Sequence, residues 1–166
     1  MLRRFLSIAN YPPSPVDMHV TKLEKSDIPK VIGLTQTLGL CVWTASSLAY
    51  ELTRADSIML KLCDDDNSLI GFAAGRTVDP EEHVVELFNI GVERGKQGSG
   101  SGQMLLENFL KACKSIGTKR ILLEVRVSNS RAISFYKRNG FIKLGLRPGF
   151  YSDPPEDGFT MELKPK

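Results

Sequence analysis

The sequence lacks the features that mark several large classes of protein. No stretch of about 18 apolar residues occurs, so no segment is long enough to span a bilayer. The three cysteines, Cys41, Cys63 and Cys113, are an odd number, lie far apart and form no CxxC pair. Only two histidines accompany them. We therefore expect neither a disulfide framework nor a zinc or other metal site, and we predict a reducing compartment, the cytoplasm.

The sequence also has little excess charge of either sign. The formal net charge is only +3, from 22 basic and 19 acidic residues. This balance favours an acidic or phosphorylated ligand, but it is too weak to indicate a clustered basic face for nucleic acid. We therefore expect no nucleic-acid partner and no membrane partner.

What is present is typical of one soluble globular domain. The chain has 166 residues, of which 42% are hydrophobic and 25% charged, enough for one continuous core. Residues 1–17 are predicted to be an irregular N-terminal arm, because Pro12, Pro13 and Pro15 interrupt it. The first 15 residues contain arginine and no acid, so a targeting presequence remains an alternative. The predicted domain covers residues 18–166.

Hydrophobic periodicity predicts an alternation of strands and helices within one mixed α/β core. The predicted strands are 18–23, 57–63, 68–78, 84–92, 121–125, 141–146 and 158–163. The predicted helices are one capped by Ser26 and Asp27 and ending at Leu38, one over 45–52 capped by Thr44, one from about Ser101 to Ile116, and one from Ser128 or Asn129 to Asn139. The last two strands are expected to flank a turn with the sequence SDPPEDG, residues 152–158.

The segment QGSGSG, residues 97–102, lies between a predicted strand and an amphipathic helix. This position excludes a flexible linker. A Walker loop would need GK[ST], and a dinucleotide fingerprint would need GxGxxG in a strand–helix–strand unit, and neither fits. A tight turn at a helix N-terminus remains, whose free N–H groups favour a phosphate or diphosphate. A plain structural turn is the alternative.

The motifs around this loop resemble one enzyme superfamily. Gln97-x-x-Gly100-x-Gly102 matches the Q/R-x-x-G-x-G/A signature of the GCN5-related N-acetyltransferases (GNAT). The flanking segments ELFNIGV, LLEVRVSNSRAISFYKRNGF and CVWTASSLAYEL resemble the bacterial ribosomal-protein-alanine N-acetyltransferases of that superfamily. The likeness covers roughly residues 18–163 and is densest over 86–141. It implies a central mixed, mostly antiparallel sheet of about seven strands flanked by about four helices.

The resemblance also implies acetyl-CoA as the donor. The loop of the family holds the diphosphate, which predicts a cradle formed by Gln97, Gly98, Ser99, Gly100, Ser101 and Gly102. The matching strand segment, Ile90, Gly91 and Val92, is expected to pair its backbone with the pantetheine arm. Asn129 is expected to bond the donor, to cap the following helix, or both.

This chain departs from the family at two positions of the loop. The signature usually carries basic residues where the chain has Gly98 and Ser99. The backbone amides are therefore expected to dominate diphosphate binding. Arg94 and Lys96, just upstream, are expected to supply positive charge.

Two residues match the family's acid–base groups. Glu124 lies in the apolar strand segment ILLEV, where a carboxylate is unfavourable unless it is paired or functional. By resemblance it is the general base, acting directly or through a water molecule, and its structural alternative is a salt bridge with Arg126. Tyr136 matches the general acid, because a phenol with a pKa of about 10 is protonated at neutral pH. Its alternative is a ring that packs on the sheet.

The acceptor is predicted to be the N-terminus of a protein or peptide, and the resemblance implies the N-terminal alanine of ribosomal protein S18. An α-amine has a pKa of about 7.7 to 8 and a lysine side chain about 10.4, so the α-amine loses its proton more easily. Phe150 and Tyr151 match aromatic residues that enclose the acceptor, and Trp43 is a further candidate. Packing in or beside the core is the alternative for all three.

Two other functions remain open at this point. The chain could acetylate lysine or a small-molecule amine, because the donor half is shared across the superfamily. It could also be a non-catalytic acetyl-CoA-binding module, although such a module would need neither Glu124 nor Tyr136. We expect a monomer or a weak dimer.

Overall fold

The computed structural model describes residues 18–40 and 43–165, so the predicted N-terminal arm lies outside the described residues. Seven strands and four α-helices follow one another in the predicted order: β1 (His19–Lys22), α1 (Ile28–Leu38), α2 (Ala45–Glu51), β2 (Ser57–Cys63), β3 (Leu69–Asp79), β4 (Val84–Val92), α3 (Ser101–Ser115), β5 (Arg120–Arg126), α4 (Ser130–Arg138), β6 (Ile142–Ser152) and β7 (Pro155–Leu163). Short 3₁₀-helices precede α1 and follow β4.

All seven strands form one sheet in the order β1-β2-β3-β4-β5-β7-β6. Every neighbouring pair is antiparallel except β4 and β5, which are parallel. A parallel pair needs a long crossover, and α3 supplies it. The predicted fold class, a mixed and mostly antiparallel sheet with flanking helices, is confirmed. Within the described residues, no helix combines the length and apolarity needed to cross a membrane.

The sheet has a hydrophobic cluster on each face. On one face, α3 and α4 pack on the central and C-terminal strands, and Leu105 and Phe109 of α3 are fully buried there. On the other face, α1 and α2 pack on β2 and β3 through Val31 and Leu48. The apolar steps of three and four along α3 account for its buried face. The second face of β4, β5 and β7 carries polar side chains, among them Glu86, Glu124 and Thr160.

Several helix boundaries follow the local signals in the sequence. Gly39 ends α1 in the left-handed region with φ 64°. Thr44 opens α2 with a capping box in which its side chain accepts a hydrogen bond from the Ser47 backbone N–H. Asn129 caps α4 by accepting from Ala132 N at 3.1 Å.

The predicted turn over residues 152–158 is wrong in extent. β6 continues to Ser152 and β7 begins at Pro155, so only Asp153 and Pro154 lie between the two strands. Proline is tolerated at the first residue of a strand. The Glu156 carboxylate also holds this segment, because it accepts from the Ser128 backbone N–H at 2.7 Å. As a consequence, Phe150 and Tyr151 lie in a strand, although the predicted strand ended at residue 146.

Candidate active site

The parallel strands β4 and β5 separate halfway along their length. They pair only over Val84–Leu87 and residues 120–123. Beyond this point β4 continues to Val92 beside β3, whereas β5 continues beside β7. Among residues 18–40 and 43–165, no strand therefore pairs with the edge of residues 88–92 that faces β5, and Ile90, Gly91 and Val92 lie along it. The separation produces a gap in the middle of the sheet.

An irregularity in β4 marks the start of this gap. Ala74 of β3 pairs with Asn89, and the next residue, Gly75, pairs with Leu87. Phe88 is therefore an extra residue, a β-bulge, which bends the strand and reverses the alternation of its side chains. The bulge explains why β4 turns away from β5 at this point.

The loop 97–102 lies beyond the open end of β4 and leads into α3. Gly98 and Gly100 have φ angles of 83° and 87°, a conformation that is strained for residues with a Cβ. Apart from each glycine and its chain neighbours, the described part of the chain places no atom within 4 Å of the position a Cβ would take at either glycine. α3 has 15 residues, and its first backbone N–H groups lack helical partners. The loop therefore has an open surface and a favourable dipole for an anion.

The cations near the loop are arranged differently from the sequence-based expectation. Arg94 donates to the Thr37 carbonyl oxygen of α1 at 3.3 Å, and Lys96 Nζ lies 3.8 Å from an Asp64 carboxylate oxygen. Both side chains thus have partners on the β1–β4 side of the molecule. Arg131, in the first turn of α4, donates to Gln97 Oε1 at 2.8 Å. No motif in the sequence marks Arg131, and its position two residues after Asn129 is the available signal.

The side chain of Gln97 connects this arginine to the gap. Its Nε2 donates to the carbonyl oxygen of Val92, the last residue of β4, at 2.8 Å. The first turn of α4, the glycine loop and the open end of β4 are therefore joined by two successive hydrogen bonds. This arrangement fixes the loop beside the gap.

Glu124 lies just past the point where the strands separate. Its side chain is 12% exposed, and both carboxylate oxygens accept from Thr160 Oγ1, at 2.9 and 3.0 Å. Arg147 of β6 donates to Oε1 at 3.0 Å. The alternative partner, Arg126, is not used, because it binds Glu156 at 3.1 Å instead.

Tyr136 of α4 is 8% exposed and packs its ring between two phenylalanines. The ring centroids of Phe135 and Phe141 each lie 5.5 Å away. Its hydroxyl forms no hydrogen bond with any residue of 18–40 or 43–165. Burial, and to a smaller extent the nearby Tyr151, raise the pKa of Tyr136 well above its ordinary value. The ring packs as the structural alternative predicted, and the phenol stays protonated.

Strand alternation places the two residues on opposite faces of the sheet. Leu123 and Val125 point into the core beneath α3 and α4, so Glu124 points to the other face. Tyr136 belongs to the core on the α3 and α4 side. The gap between β4 and β5 connects these two faces. A molecule lying in the gap can therefore contact both groups.

A second carboxylate, Glu86 of β4, shares the face of Glu124. Glu86 is half-buried, and its register partner on β5 is Leu122, two residues before Glu124. Burial raises the pKa of Glu86 and the Glu124 charge adds to this, whereas Arg147 and Arg76 oppose it. Sequence reasoning missed this residue, since only the parallel register brings it near Glu124.

The aromatic residues predicted to contact the acceptor lie at two places around the face that carries Glu124: Phe150 and Tyr151 on β6, and Trp43 beside β4. Phe150 and Tyr151 contact each other edge to face at 4.9 Å, and Arg147 lies 4.4 Å above the Phe150 ring. The pair is thus adjacent to the arginine that holds Glu124. Trp43 lies 6.1 Å from the bulged Phe88, and its indole N–H is 2.7 Å from the side-chain amide of Asn89, which can accept from it. Trp43 also packs against the α1 and α2 cluster, as its structural alternative predicted.

Comparison with known proteins agrees with this architecture. Residues 34–141 match the model of the acetyltransferase (GNAT) family. The [ribosomal protein bS18]-alanine N-acetyltransferase of Haemophilus influenzae is 32% identical over 135 residues, which cover 81% of this chain and 88% of the relative. The crystal structure of the ribosomal-protein-S18-alanine N-acetyltransferase from Escherichia coli superposes with a TM-score of 0.78 at 28% identity, covering 89% of this chain and 93% of that one.

A more distant structure shares the fold alone. Ard1 from Thermoplasma volcanium superposes with a TM-score of 0.80 at 23% identity, over 89% of this chain and 97% of that one. The separated strands and the glycine loop agree with the match to the family model. The chain therefore belongs to the GNAT family of acetyltransferases.

Proposed function

We propose that the protein transfers an acetyl group from acetyl-CoA to the N-terminal α-amine of a protein. By similarity to the relatives named above, the proposed acceptor is the N-terminal alanine of ribosomal protein S18, a cytoplasmic substrate. The observation that carries the proposal is the separation of β4 and β5 directly before Glu124. This separation supplies a binding slot and, at the same place, the largely buried carboxylate of Glu124.

The donor fits the gap and the loop in two parts. The pantetheine arm carries amide groups, which can bond the backbone edge of Ile90, Gly91 and Val92 as an added strand would, next to the Val92 carbonyl oxygen that accepts from Gln97. The diphosphate then falls at the loop 97–102, where the N–H groups of Gly98 to Gly102 and the dipole of α3 favour negative charge. Asn129 already caps α4 through its side-chain oxygen, and its amide nitrogen remains for the donor.

The chemistry then divides between the two faces of the sheet. Glu124 takes a proton from the acceptor ammonium, directly or through a water molecule, which frees the lone pair of the amine. The amine nitrogen attacks the thioester carbonyl carbon and forms the amide C–N bond as the C–S bond breaks. The departing thiolate takes the phenolic proton of Tyr136, and the second proton, which the nitrogen loses as it becomes the amide, passes through water to restore the phenol. The hydroxyl is suited to this step because it is protonated and has no hydrogen-bond partner among the described residues.

A carboxylate base favours an acceptor that deprotonates easily. Arg147 and Thr160 hold the Glu124 carboxylate in place, and a lysine side chain, which is far more basic than an α-amine, would give up its proton to this carboxylate less readily. Phe150 and Tyr151 lie beside Arg147 and would contact the first residues of the acceptor, and Trp43 would contact them from the β4 side.

The test uses matched peptides with acetyl-CoA. One peptide has a free N-terminal alanine and no lysine, and the other has a blocked N-terminus and an internal lysine. We expect acetylation of the first only, measured by mass spectrometry. Acetylation of the blocked peptide alone would indicate a lysine acetyltransferase, and binding of acetyl-CoA without transfer to any amine would indicate a non-catalytic module. Either result contradicts the proposal.

Variants test the assigned roles. Glu124→Gln should lower kcat by about a hundred-fold to ten-thousand-fold while the Kd for acetyl-CoA is retained. Glu107→Gln, an exposed carboxylate on α3, is the matched control and should behave as the wild type. A wild-type kcat in Glu124→Gln would remove this residue from the mechanism.

A further inference from the structure

Glu86 is a half-buried carboxylate to which the mechanism above gives no role. It projects from β4 on the face that carries Glu124, directly opposite Arg76 of β3 in the strand register. Its carboxylate forms no hydrogen bond and no ion pair with any residue in 18–40 or 43–165. A partly buried carboxylate without a partner destabilises the folded protein.

The neighbouring cations are already bound to other groups. Arg76 Nη1 donates to Glu51 Oε1 at 2.7 Å, and its guanidinium lies 5.3 Å above the Phe88 ring. Arg147 is bound to Glu124 and stacked on Phe150. Each arginine attracts Glu86 only at longer range, while Glu124 repels it. The site around Glu86 therefore lacks one positive charge.

The two carboxylates differ in what they still need. Glu124 has an arginine and a hydroxyl bonded to its oxygens, so its charge is compensated. Glu86 has neither and is the carboxylate better able to attract a further cation. Any amine acceptor that reaches Glu124 approaches on the face that Glu86 shares, and it arrives as an ammonium at neutral pH.

We propose that Glu86 binds the ammonium group of the acceptor and positions it beside Glu124. This inference rests on the proposed function and adds a substrate-binding residue to it. Glu124 then takes the proton, and the Glu86 carboxylate accepts a hydrogen bond from an N–H that remains on the nitrogen. A charge-assisted hydrogen bond of this kind changes affinity by about ten-fold or more.

The experiment compares Glu86→Gln with the wild type on a peptide with a free N-terminal alanine. We expect the KM for the peptide to rise about ten-fold or more, with a kcat within a few-fold of wild type and an unchanged KM for acetyl-CoA. Glu86→Asp, which keeps the charge, should recover part of the lost affinity. Glu81→Gln, in the exposed turn before β4, is the control and should match the wild type.

A second measurement identifies the ammonium as the group that is bound. The same peptide with a propionyl group in place of the N-terminal alanine lacks the amine and serves as a competitive inhibitor. Its Ki should be the same for wild type and Glu86→Gln. An equal loss of affinity for both peptides would contradict binding of the ammonium.

Stability separates this role from a structural one. Because the Glu86 carboxylate bonds to none of the described residues, Glu86→Gln should melt at the wild-type temperature or higher at pH 7. A large fall in Tm, a failure to fold, or a wild-type KM for the peptide would each overturn the inference. If the wild type acetylates no N-terminal peptide, the proposed function fails first and the inference falls with it. If the wild type is active and only the Glu86 effects are missing, the inference alone fails.

Discussion

Replacing Tyr136 by phenylalanine removes one oxygen atom and tests the candidate site with little disturbance of the core. The ring is 8% exposed and keeps its contacts with Phe135 and Phe141 in the variant. The hydroxyl forms no hydrogen bond with the described residues, so its removal breaks none of the bonds described. We expect the free energy of unfolding to change by less than about 1 kcal/mol, in the stabilising direction. A structural hydroxyl would give the opposite sign.

The activity of the same variant should fall steeply. A general acid contributes about a hundred-fold to ten-thousand-fold to the rate, and phenylalanine has no proton to give. The assay pairs urea unfolding with steady-state release of CoA, and Tyr50→Phe, at a tyrosine that is 60% exposed, is the control. A destabilisation of about 2 kcal/mol would show that the hydroxyl has a structural partner. A kcat within two-fold of wild type would refute its role as the acid.

The raised pKa of Tyr136 also predicts how activity and stability depend on pH. The pKa of Tyr136 in the unfolded chain is about 10. Because burial raises the pKa of Tyr136 in the folded protein above this value, the phenol is protonated throughout the ordinary assay range. Any loss of activity between pH 7 and 10 must therefore come from another group. The stability that the protonated phenol contributes is complete below the unfolded pKa and is lost as pH rises through the folded pKa. Tyr136→Phe should unfold less readily than the wild type at strongly alkaline pH.

Three further predictions concern the core and the donor site. Phe109→Ala empties a fully buried position under the sheet and should lower the free energy of unfolding by about 3 to 5 kcal/mol, measured in urea. Burial raises the pKa of the Cys113 thiol to about 12, so mass spectrometry should find it alkylated at pH 8 only after unfolding. Arg131→Ala should raise the KM for acetyl-CoA about ten-fold and leave that for acetyl-pantetheine, which has no diphosphate, unchanged. Arg138→Ala, at the other end of α4, is its control, and equal effects on both donors would contradict a diphosphate contact.

Local signals in the sequence predicted most of the fold. β2 and β4 have the predicted bounds because short apolar runs end at turn residues. α1 ends at Leu38 as predicted, because the next residue, Gly39, has a positive φ that suits glycine better than other residues. The hairpin of β6 and β7 was misjudged because Pro154, Pro155 and Gly158 resemble a long turn. Bonds from Arg126 and Ser128 to Glu156 hold the segment as a strand, and such tertiary contacts leave no local pattern.

The candidate site was predictable where a motif carries it. The family resemblance placed the loop, Glu124 and Tyr136, and their roles stay predictions. The groups that bond to the Glu124 carboxylate could not be predicted from the sequence. Arg147 and Thr160 lie 23 and 36 residues from Glu124 along the chain, and only the register of three strands brings them into contact with it. Glu86 was not predicted as a site residue for the same reason. A carboxylate in a strand is noticeable in a sequence, but its lack of a partner is a property of the folded protein.

The gap between β4 and β5 also affects how the molecule holds together. Among the described residues, only four residue pairs join β1–β4 to β5–β7 in the sheet, and the shared core beside α3 and hydrogen bonds such as that from Arg131 to Gln97 add to the connection between these two halves. A pantetheine arm in the gap would bond to the free edge of residues 88–92 and complete the sheet where it is weakest. Donor binding should then slow hydrogen exchange in β4 beyond Leu87 and raise the melting temperature with donor concentration. The same opening that admits the substrate would make the protein's rigidity depend on that substrate.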